Sequence, residues 1–194
     1  ISTLRLTGSH IRLALVAVSV TLTAIACGSS VAVVPVAPAA YGPLVQQLAS
    51  EVSDARALKH LQALQKIADE HGRNRAAGTP GYDASVEYVV DVLRDIGFKA
   101  STPTFESSGE DGEGPSVRQR NVIAQTRSGD PDQVVMIGAH LDSVSDGPGI
   151  VDNGSGVATL LEIAAQLGTD PSVQNSVRFA FFVADLNGAE GSTG

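Results

Sequence analysis

The most constraining feature of this sequence is an apolar run that leads directly into a loop of small and acidic residues. Residues 134–137 (Val-Val-Met-Ile) have the composition of a buried strand, and His140 follows them closely. Residues 138–156, GAHLDSVSDGPGIVDNGSG, then carry Asp152 to the start of a helical pattern. Because open α/β sheets bind ligands at the carboxyl ends of their strands, we expect a functional site in this loop.

Apolar residues at steps of three and four predict amphipathic helices. The predicted helical ranges are 43–70, as one or two helices, 82–96 and 157–167. Ser53 or Asp54 is the expected N-cap where the first range divides, and Gly97 is placed to end the second range. His60 and His71 have charged neighbours, so they are expected to be solvated helix residues rather than ligands.

Strand patterns alternate with these helices. The predicted strands are 98–105, 121–126, 133–139 and 177–183, with a turn at 128–131 between the second and the third. Pro103 argues that the first strand lies at an edge. The last strand is the most apolar and is expected to be central and buried on both faces. This order of elements predicts a helix-flanked mixed α/β sheet without a second domain.

The charge balance bears on the kind of partner. The chain of 194 residues has 13 Lys and Arg against 21 Asp and Glu, which gives a formal net charge of −8. Nucleic acids and anionic membranes are polyanions and are therefore disfavoured as partners. We predict no nucleic-acid binding, and contact with a membrane only through a lipid anchor.

The first 27 residues predict an export signal. Basic residues precede an apolar run at 13–26 that is too short for a transmembrane helix and ends directly before Cys27, the only cysteine. Ala24–Cys27 resembles a lipobox, so a cell-envelope lipoprotein is favoured over a secreted protein with a plain cleaved signal, and both over a buried apolar helix. Residues 28–42 are small, apolar and proline-bearing, which is typical of a flexible tether. Residues 43–194 remain for the folded domain.

The residue types in the loop indicate a metal site. His140 and Asp142 are two residues apart on an extended segment, so their side chains leave on the same face. A carboxylate that accepts the second N–H of an imidazole fixes its tautomer and strengthens it as a metal ligand. Asp152 follows a Gly-Pro-Gly turn, and imidazole with carboxylate favours zinc.

Other interpretations of the same residues remain open at this point. His140 could be a strand-end histidine beside a nearby aspartate, with Asp152 capping the next helix through Gly154 or Ser155. A nucleophilic role for Ser155 is disfavoured because the Gly-x-Ser-x-Gly pattern is absent around it. A phosphate site at residues 153–156 is disfavoured by the neighbouring carboxylates.

The loop also resembles a known family. The motifs are GAHLDSV at 138–144, GPGIVDNGSGV at 147–157, RAAGTPG at 75–81 and NVIA at 121–124. They are similar to those of the di-zinc aminopeptidases of metallopeptidase family twenty-eight, the bacterial secreted aminopeptidase and aminopeptidase Y type. The similarity extends from about Ala57 to Ala184 and implies a helix-flanked mixed sheet of the zinc-exopeptidase, phosphorylase/hydrolase-like type.

The resemblance implies roles for individual residues. His140 would ligate one zinc ion, Asp152 would bridge two, and Asp142 would be the partner of His140 outside the metal sphere. Two metal ions about 3.5–4 Å apart polarise the scissile carbonyl and activate a water molecule. The implied substrate is a peptide or protein with a free N-terminus.

Two features of this sequence depart from the family pattern. The family has an adjacent Glu-Glu pair, a general base followed by a zinc ligand, where an ungapped alignment places Asp185 and Leu186. A gapped alignment instead offers Glu190 for the pair. The family's remaining ligands, an Asp and a His, lie beyond Gly194, so the catalytic domain is expected to be incomplete in its C-terminal half. The chain is therefore expected to be a truncated zinc aminopeptidase, with a non-catalytic peptide- or metal-binding lipoprotein or a decayed gene product as alternatives.

Overall fold

A computed structural model describes residues 42–107 and 117–183. The helices are α1 (Pro43–Glu51), α2 (Asp54–Glu70), α3 (Pro80–Ile96) and α4 (Ser155–Leu167). The strands are β1 (Thr104–Ser107), β2 (Val117–Arg120), β3 (Val122–Gln125), β4 (Asp130–His140) and β5 (Asn175–Phe182). The export signal at 1–27 and nearly all of the tether at 28–42 lie outside the described residues, so both stay predictions.

The helix boundaries follow from capping side chains. The range predicted as one or two helices divides in two, and the Ser53 hydroxyl accepts a hydrogen bond from the Arg56 amide at 3.4 Å, so Ser53 is the N-cap of α2. Thr79 caps α3 in the same way, through the Tyr82 amide at 3.3 Å. Gly97 ends α3 with a φ of 103°, a left-handed conformation that glycine adopts without steric cost.

The main sheet has three strands in the order β3-β5-β4. β5 pairs antiparallel with β3 and parallel with β4, so the predictions of a mixed sheet and of a central last strand are confirmed. Phe179, Ala180 and Phe181 are consecutive and fully buried, and neighbours along a strand point to opposite faces. The middle of β5 is therefore buried on both faces, as expected, while Arg178 and Phe182 are partly exposed.

Two predicted strands have different bounds in the structure. The strand predicted at 98–105 is wrong over most of its length, because β1 begins only at Thr104 and pairs with β2 in a separate two-stranded sheet. Pro103 just before it has no N–H to donate, and its carbonyl accepts from the Asn121 amide. The predicted turn at 128–131 overlaps the start of β4, since the Asp130 amide donates to the Gln174 carbonyl at 2.8 Å.

The core lies between the helices and one face of the sheet. It contains side chains with no exposed surface from α2, α3, α4 and β5: Leu64, Val89, Leu93, Leu161, Phe179 and Phe181. Phe98 packs edge-to-face against Phe179, with ring centroids 5.6 Å apart. The packing fixes β4 beside β5 and so fixes the position of the loop that follows β4. Within the described part of the chain, no helix has the length and apolarity needed to cross a membrane.

The prediction that His60 is solvated is wrong. Its imidazole is half-buried between α2 and α3, with Nδ1 2.6 Å from the Tyr88 hydroxyl. Burial lowers the pKa of His60, because desolvation disfavours the charged imidazolium, although the charge of Glu162 opposes the shift. The sequence shows charged neighbours along α2 but not the helix that packs across it.

Candidate metal site

β4 places His140 at its carboxyl end. His140 pairs with Phe182 of β5, and the next amide, Leu141 N, donates to the Phe182 carbonyl at 2.6 Å. The imidazole is 8% exposed, so the protein encloses nearly all of the ring. The carboxyl end of β4 therefore holds the imidazole in a fixed orientation at the sheet edge where ligands bind.

Asp152 reaches the same point from the other end of the loop. It lies in an irregular turn, Ile150–Gly154, directly before α4, and its peptide bond to Asn153 is cis. Asp152 Oδ1 is 2.9 Å from His140 Nε2, while the carboxylate remains largely exposed. The helix amide of Gly156 is capped by Asn153 Oδ1 at 3.1 Å, so Asn153 rather than Asp152 performs the capping.

Asp142 approaches His140 from the opposite side. Its Oδ1 is 3.4 Å from His140 Nδ1, and its backbone carbonyl oxygen is 3.2 Å from the same nitrogen. The Asp142 residue is only 2% exposed, and Oδ1 has no hydrogen bond of good geometry within the described residues. A buried carboxylate oxygen in this position favours a proton on Nδ1. Without metal, Nε2–H donates to Asp152, and a metal ion that displaces this proton would meet the Nε2 lone pair on the same side.

The electrostatics of the site favour a cation. Asp142 first and then Asp152 raise the pKa of His140 to about 9, against the opposing effect of burial. The two carboxylates stabilise the positive charge of an imidazolium, and the same charges would stabilise a metal ion held between His140 and Asp152.

The donors fit zinc as one part of a site. Imidazole nitrogen and carboxylate oxygen are both common zinc ligands, and protein zinc sites use at least three such side chains. Within 42–107 and 117–183, no group of three or more His, Cys, Asp or Glu side chains is close enough to hold a metal. Any further ligand would have to come from outside these ranges, where Asp185, Leu186 and Glu190 also lie, so their roles stay predictions.

Arg75 is the residue of the site that residue-by-residue reasoning missed. It belongs to the RAAGTPG motif, yet the sequence alone assigned it no role. The side chain is completely buried, and its guanidinium donates to the carbonyl oxygens of Leu141, Pro148 and Gly149. The available signal was a cationic residue inside a glycine-rich motif, but its carbonyl partners lie 66 to 74 positions away in the chain.

Serine and phosphate chemistry find no support in this geometry. The Ser155 hydroxyl donates to the Val151 carbonyl at 2.6 Å, and no histidine contact accompanies that bond among the described residues. The Asp152 carboxylate stands directly before the start of α4, where it would repel a bound phosphate.

Comparison with known proteins agrees with the motifs. Residues 121–194 match the family described as Peptidase family M28. The match to this family includes both candidate metal ligands, His140 and Asp152, and leaves the residues before 121 outside it. The predicted resemblance to these peptidases is therefore confirmed, and the match includes the whole loop from β4 to α4.

Two curated relatives extend the similarity toward the N-terminus. The probable lipoprotein aminopeptidase LpqL of Mycobacterium tuberculosis is 46% identical over 147 residues, which cover 74% of this chain and 29% of that protein. Leupeptin-inactivating enzyme 1 of Streptomyces exfoliatus is 39% identical over 172 residues, 87% of this chain and 34% of that protein. The chain thus spans about a third of the length of each relative.

Solved structures share the fold. A glutaminyl cyclase of Porphyromonas gingivalis superposes with a TM-score of 0.60 at 26% identity, covering 73% of this chain and 51% of that one. A Zn-dependent exopeptidase of Parabacteroides distasonis gives 0.54 at 25% identity, with 69% and 48% covered. The predicted α/β fold of the zinc-exopeptidase type is confirmed, and the chain corresponds to about half of each of these structures.

Proposed function

We propose that this chain carries part of the catalytic centre of a zinc-dependent aminopeptidase, which removes N-terminal residues from peptides. The observation that carries the proposal is the 2.9 Å approach of His140 Nε2 to Asp152 Oδ1, with the buried Asp142 carboxylate on the far side of the ring. The match of residues 121–194 to peptidase family M28 and the relatives named as aminopeptidases support the reaction class. The Zn-dependent exopeptidase of the same fold supports the metal.

In this proposal His140 and Asp152 are the residues of the described chain that would hold zinc. Bound zinc would supply a Lewis acid that polarises the scissile carbonyl and lowers the pKa of water. Asp142 holds the imidazole in the tautomer whose Nε2 is free to ligate. Because the Asp152 carboxylate is exposed, a peptide would reach the metal from the side of Asp152. His140, at the end of β4, is enclosed by protein.

A general base is also required, because the attacking water must lose a proton, which the protonated base then gives to the leaving amine. We assign this role to Asp185, with Glu190 as the alternative; both follow β5 in the chain. Asp185→Asn and Glu190→Gln separate the two assignments. The base is the residue whose variant lowers kcat at least a hundredfold while zinc affinity is retained. Wild-type activity in both variants would remove both assignments.

The direct test uses the full chain with added zinc and an aminoacyl chromogenic substrate. We expect turnover that falls at least a hundredfold in His140→Ala and persists in His71→Ala, a histidine at the end of α2. A peptide with an N-terminal glutamine is assayed in parallel, because the fold is shared with a glutaminyl cyclase. If the protein is folded and hydrolyses no peptide at any zinc concentration, the proposal is wrong for this chain.

A second candidate function is metal or peptide binding without turnover. It is favoured by the small donor set, since the described residues bring together only His140 and Asp152 with Asp142 behind them. Calorimetric titration with zinc separates the two candidates. Zinc binding that Asp152→Ala abolishes, without hydrolysis of any substrate, would replace the first candidate by the second.

Export as a lipoprotein through Cys27 is part of the proposal. The name of the Mycobacterium tuberculosis relative, a probable lipoprotein aminopeptidase, supports it together with the lipobox-like Ala24–Cys27. Detergent-phase partitioning of the chain made in a bacterial host measures lipidation. Equal partitioning of the chain and of Cys27→Ala into the aqueous phase would remove the anchor.

A further inference from the structure

Arg75 is a buried cation whose guanidinium donates to three backbone carbonyls. Nε donates to Pro148 at 2.9 Å, and the two terminal nitrogens donate to Gly149, at 2.9 Å, and to Leu141. Burial lowers the pKa of Arg75 to about 10, although the charge of Asp142 partly opposes this. The side chain therefore stays protonated at neutral pH and keeps all of its donors.

These three carbonyls have a specific place in the chain. Leu141 directly follows His140, whereas Pro148 and Gly149 stand four and three residues before Asp152. The intervening segment, residues 142–147, separates the two candidate metal ligands along the chain. One planar guanidinium thus joins both ends of this segment and closes it into a fixed loop.

The backbone of Arg75 is attached to the same loop. Its amide donates to the Ser143 hydroxyl at 2.8 Å, and its carbonyl accepts from the Ser143 amide at 3.2 Å. Ala76 and Ser143 form an isolated parallel bridge beside these bonds. The segment before α3 and the loop after β4 are therefore held together by side chain and backbone at once.

The geometry needs arginine rather than a generic cation. The guanidinium directs its N–H groups along fixed directions in one plane, whereas a lysine ammonium is a compact charge without that fork. Carbonyls outside regular secondary structure need such partners when buried, because an unpaired buried acceptor is costly.

We propose that Arg75 is a positioning residue for the metal site: by closing the loop it holds His140 Nε2 and Asp152 Oδ1 at ligating distance before metal binds. This inference rests on the proposed metal site and deepens it. Without the guanidinium, the loop must be ordered when the ion arrives, and that ordering weakens zinc affinity.

The test compares Arg75→Lys with the full wild-type chain by hydrogen exchange without metal and by zinc calorimetry. We expect the amides of residues 144–147 to exchange at least tenfold faster and the zinc Kd to rise at least tenfold, with the amides of α3 unchanged. Arg56→Lys is the matched control, since Arg56 also serves a buried group but lies far along the chain from the loop. Its loop exchange and zinc Kd are expected within twofold of the wild type.

Each outcome decides the inference. A folded Arg75→Lys with unchanged zinc Kd overturns it, even where loop exchange is faster, because Arg75 would then be structural only. Should Arg75→Lys fail to fold, Ser143→Ala removes one anchor of Arg75 and keeps the cation. A threefold weaker zinc Kd is expected there, and an unchanged value overturns the inference. A wild-type chain that binds no zinc would contradict the proposed metal site, and this result is distinct from a failure of the role proposed for Arg75.

Discussion

Arg75 beside the metal site and Glu162 on α4 are both buried charges, yet they are neutralised in different ways. Arg75 is surrounded by backbone carbonyls of an irregular loop. Glu162 is met by side chains, with the Arg56 guanidinium 2.7 Å from Oε1 and the Gln166 amide nitrogen 2.9 Å from it. Burial alone would raise the pKa of Glu162, but the hydrogen bond and charge of Arg56 lower it overall.

The two charges differ in the part of the structure that each one stabilises. The backbone of α2 and α4 is satisfied by its own helical hydrogen bonds, so Glu162 adds packing and charge pairing to a shape that already exists. The loop between His140 and Asp152 has few such bonds and depends on Arg75 for its shape. Loss of Glu162 is therefore expected to change stability alone, whereas loss of Arg75 changes stability and the site together.

The largest effect is expected for Arg75→Met. The substitution removes donors from the buried carbonyl of Leu141 and from the part-buried carbonyls of Pro148 and Gly149, of which Gly149 still accepts from the Gly154 amide. An acceptor left unpaired costs roughly 1–3 kcal/mol, so the free energy of unfolding should fall by about 2 kcal/mol or more, as measured by urea denaturation. Arg94→Met is the control, because Arg94 is exposed and pairs with the exposed Asp91. Equal losses in the two variants would contradict the comparison.

Gly149→Ala is expected to come next. Gly149 has a φ of 60°, and an added Cβ would lie 2.6 Å from the Ser143 Cβ. The left-handed conformation costs a non-glycine residue about 1–2 kcal/mol, and the contact forces the loop to move. Gly147→Ala is a matched control two residues away, where no atom lies within 4 Å of the added carbon. We expect Gly149→Ala alone to weaken zinc binding; similar zinc affinities in both variants would show that the loop tolerates distortion.

Glu162→Ala is expected to be milder and confined to the helices. It removes a buried charge-assisted hydrogen bond, worth about 1–2 kcal/mol of stability. Zinc affinity and loop exchange should remain those of the wild type. The exposed Glu87 on α3 provides the control, since Glu87→Ala removes a carboxylate without a buried partner group. A change in zinc affinity in Glu162→Ala would break the distinction between the two regions.

The smallest effect concerns pH. Burial lowers the pKa of His60, so below about pH 6.5 the unfolded chain takes up a proton that the folded chain still excludes. Stability should therefore fall as pH decreases from 6.5 toward the lower folded pKa. In His60→Gln this part of the fall should disappear. Denaturation curves between pH 5 and 8 measure it, and parallel pH profiles for the two proteins would argue against a buried neutral imidazole.

Much of the fold was predictable from local patterns. Ser53, Thr79 and Gly97 stand where helix capping rules place them, and the apolar β5 lies in the centre of the sheet. The strand predicted at 98–105 failed because alternation of residue types does not reveal which backbone groups find a partner. In the structure the paired strand β1 begins at Thr104, and an isolated bridge of Ser101 with Ile123 precedes it.

For the candidate site, the sequence by itself determined which residues can act. The spacing of His140 and Asp142 and the turn before Asp152 follow from the chain alone, as does the family motif around them. The tertiary structure decided how they meet. It brought His140 to 2.9 Å from Asp152, half-buried His60 against Tyr88 of α3, and placed Arg75 against carbonyls about 70 positions away. Local sequence encodes chemistry and direction, but contacts between distant segments depend on how the helices and strands pack.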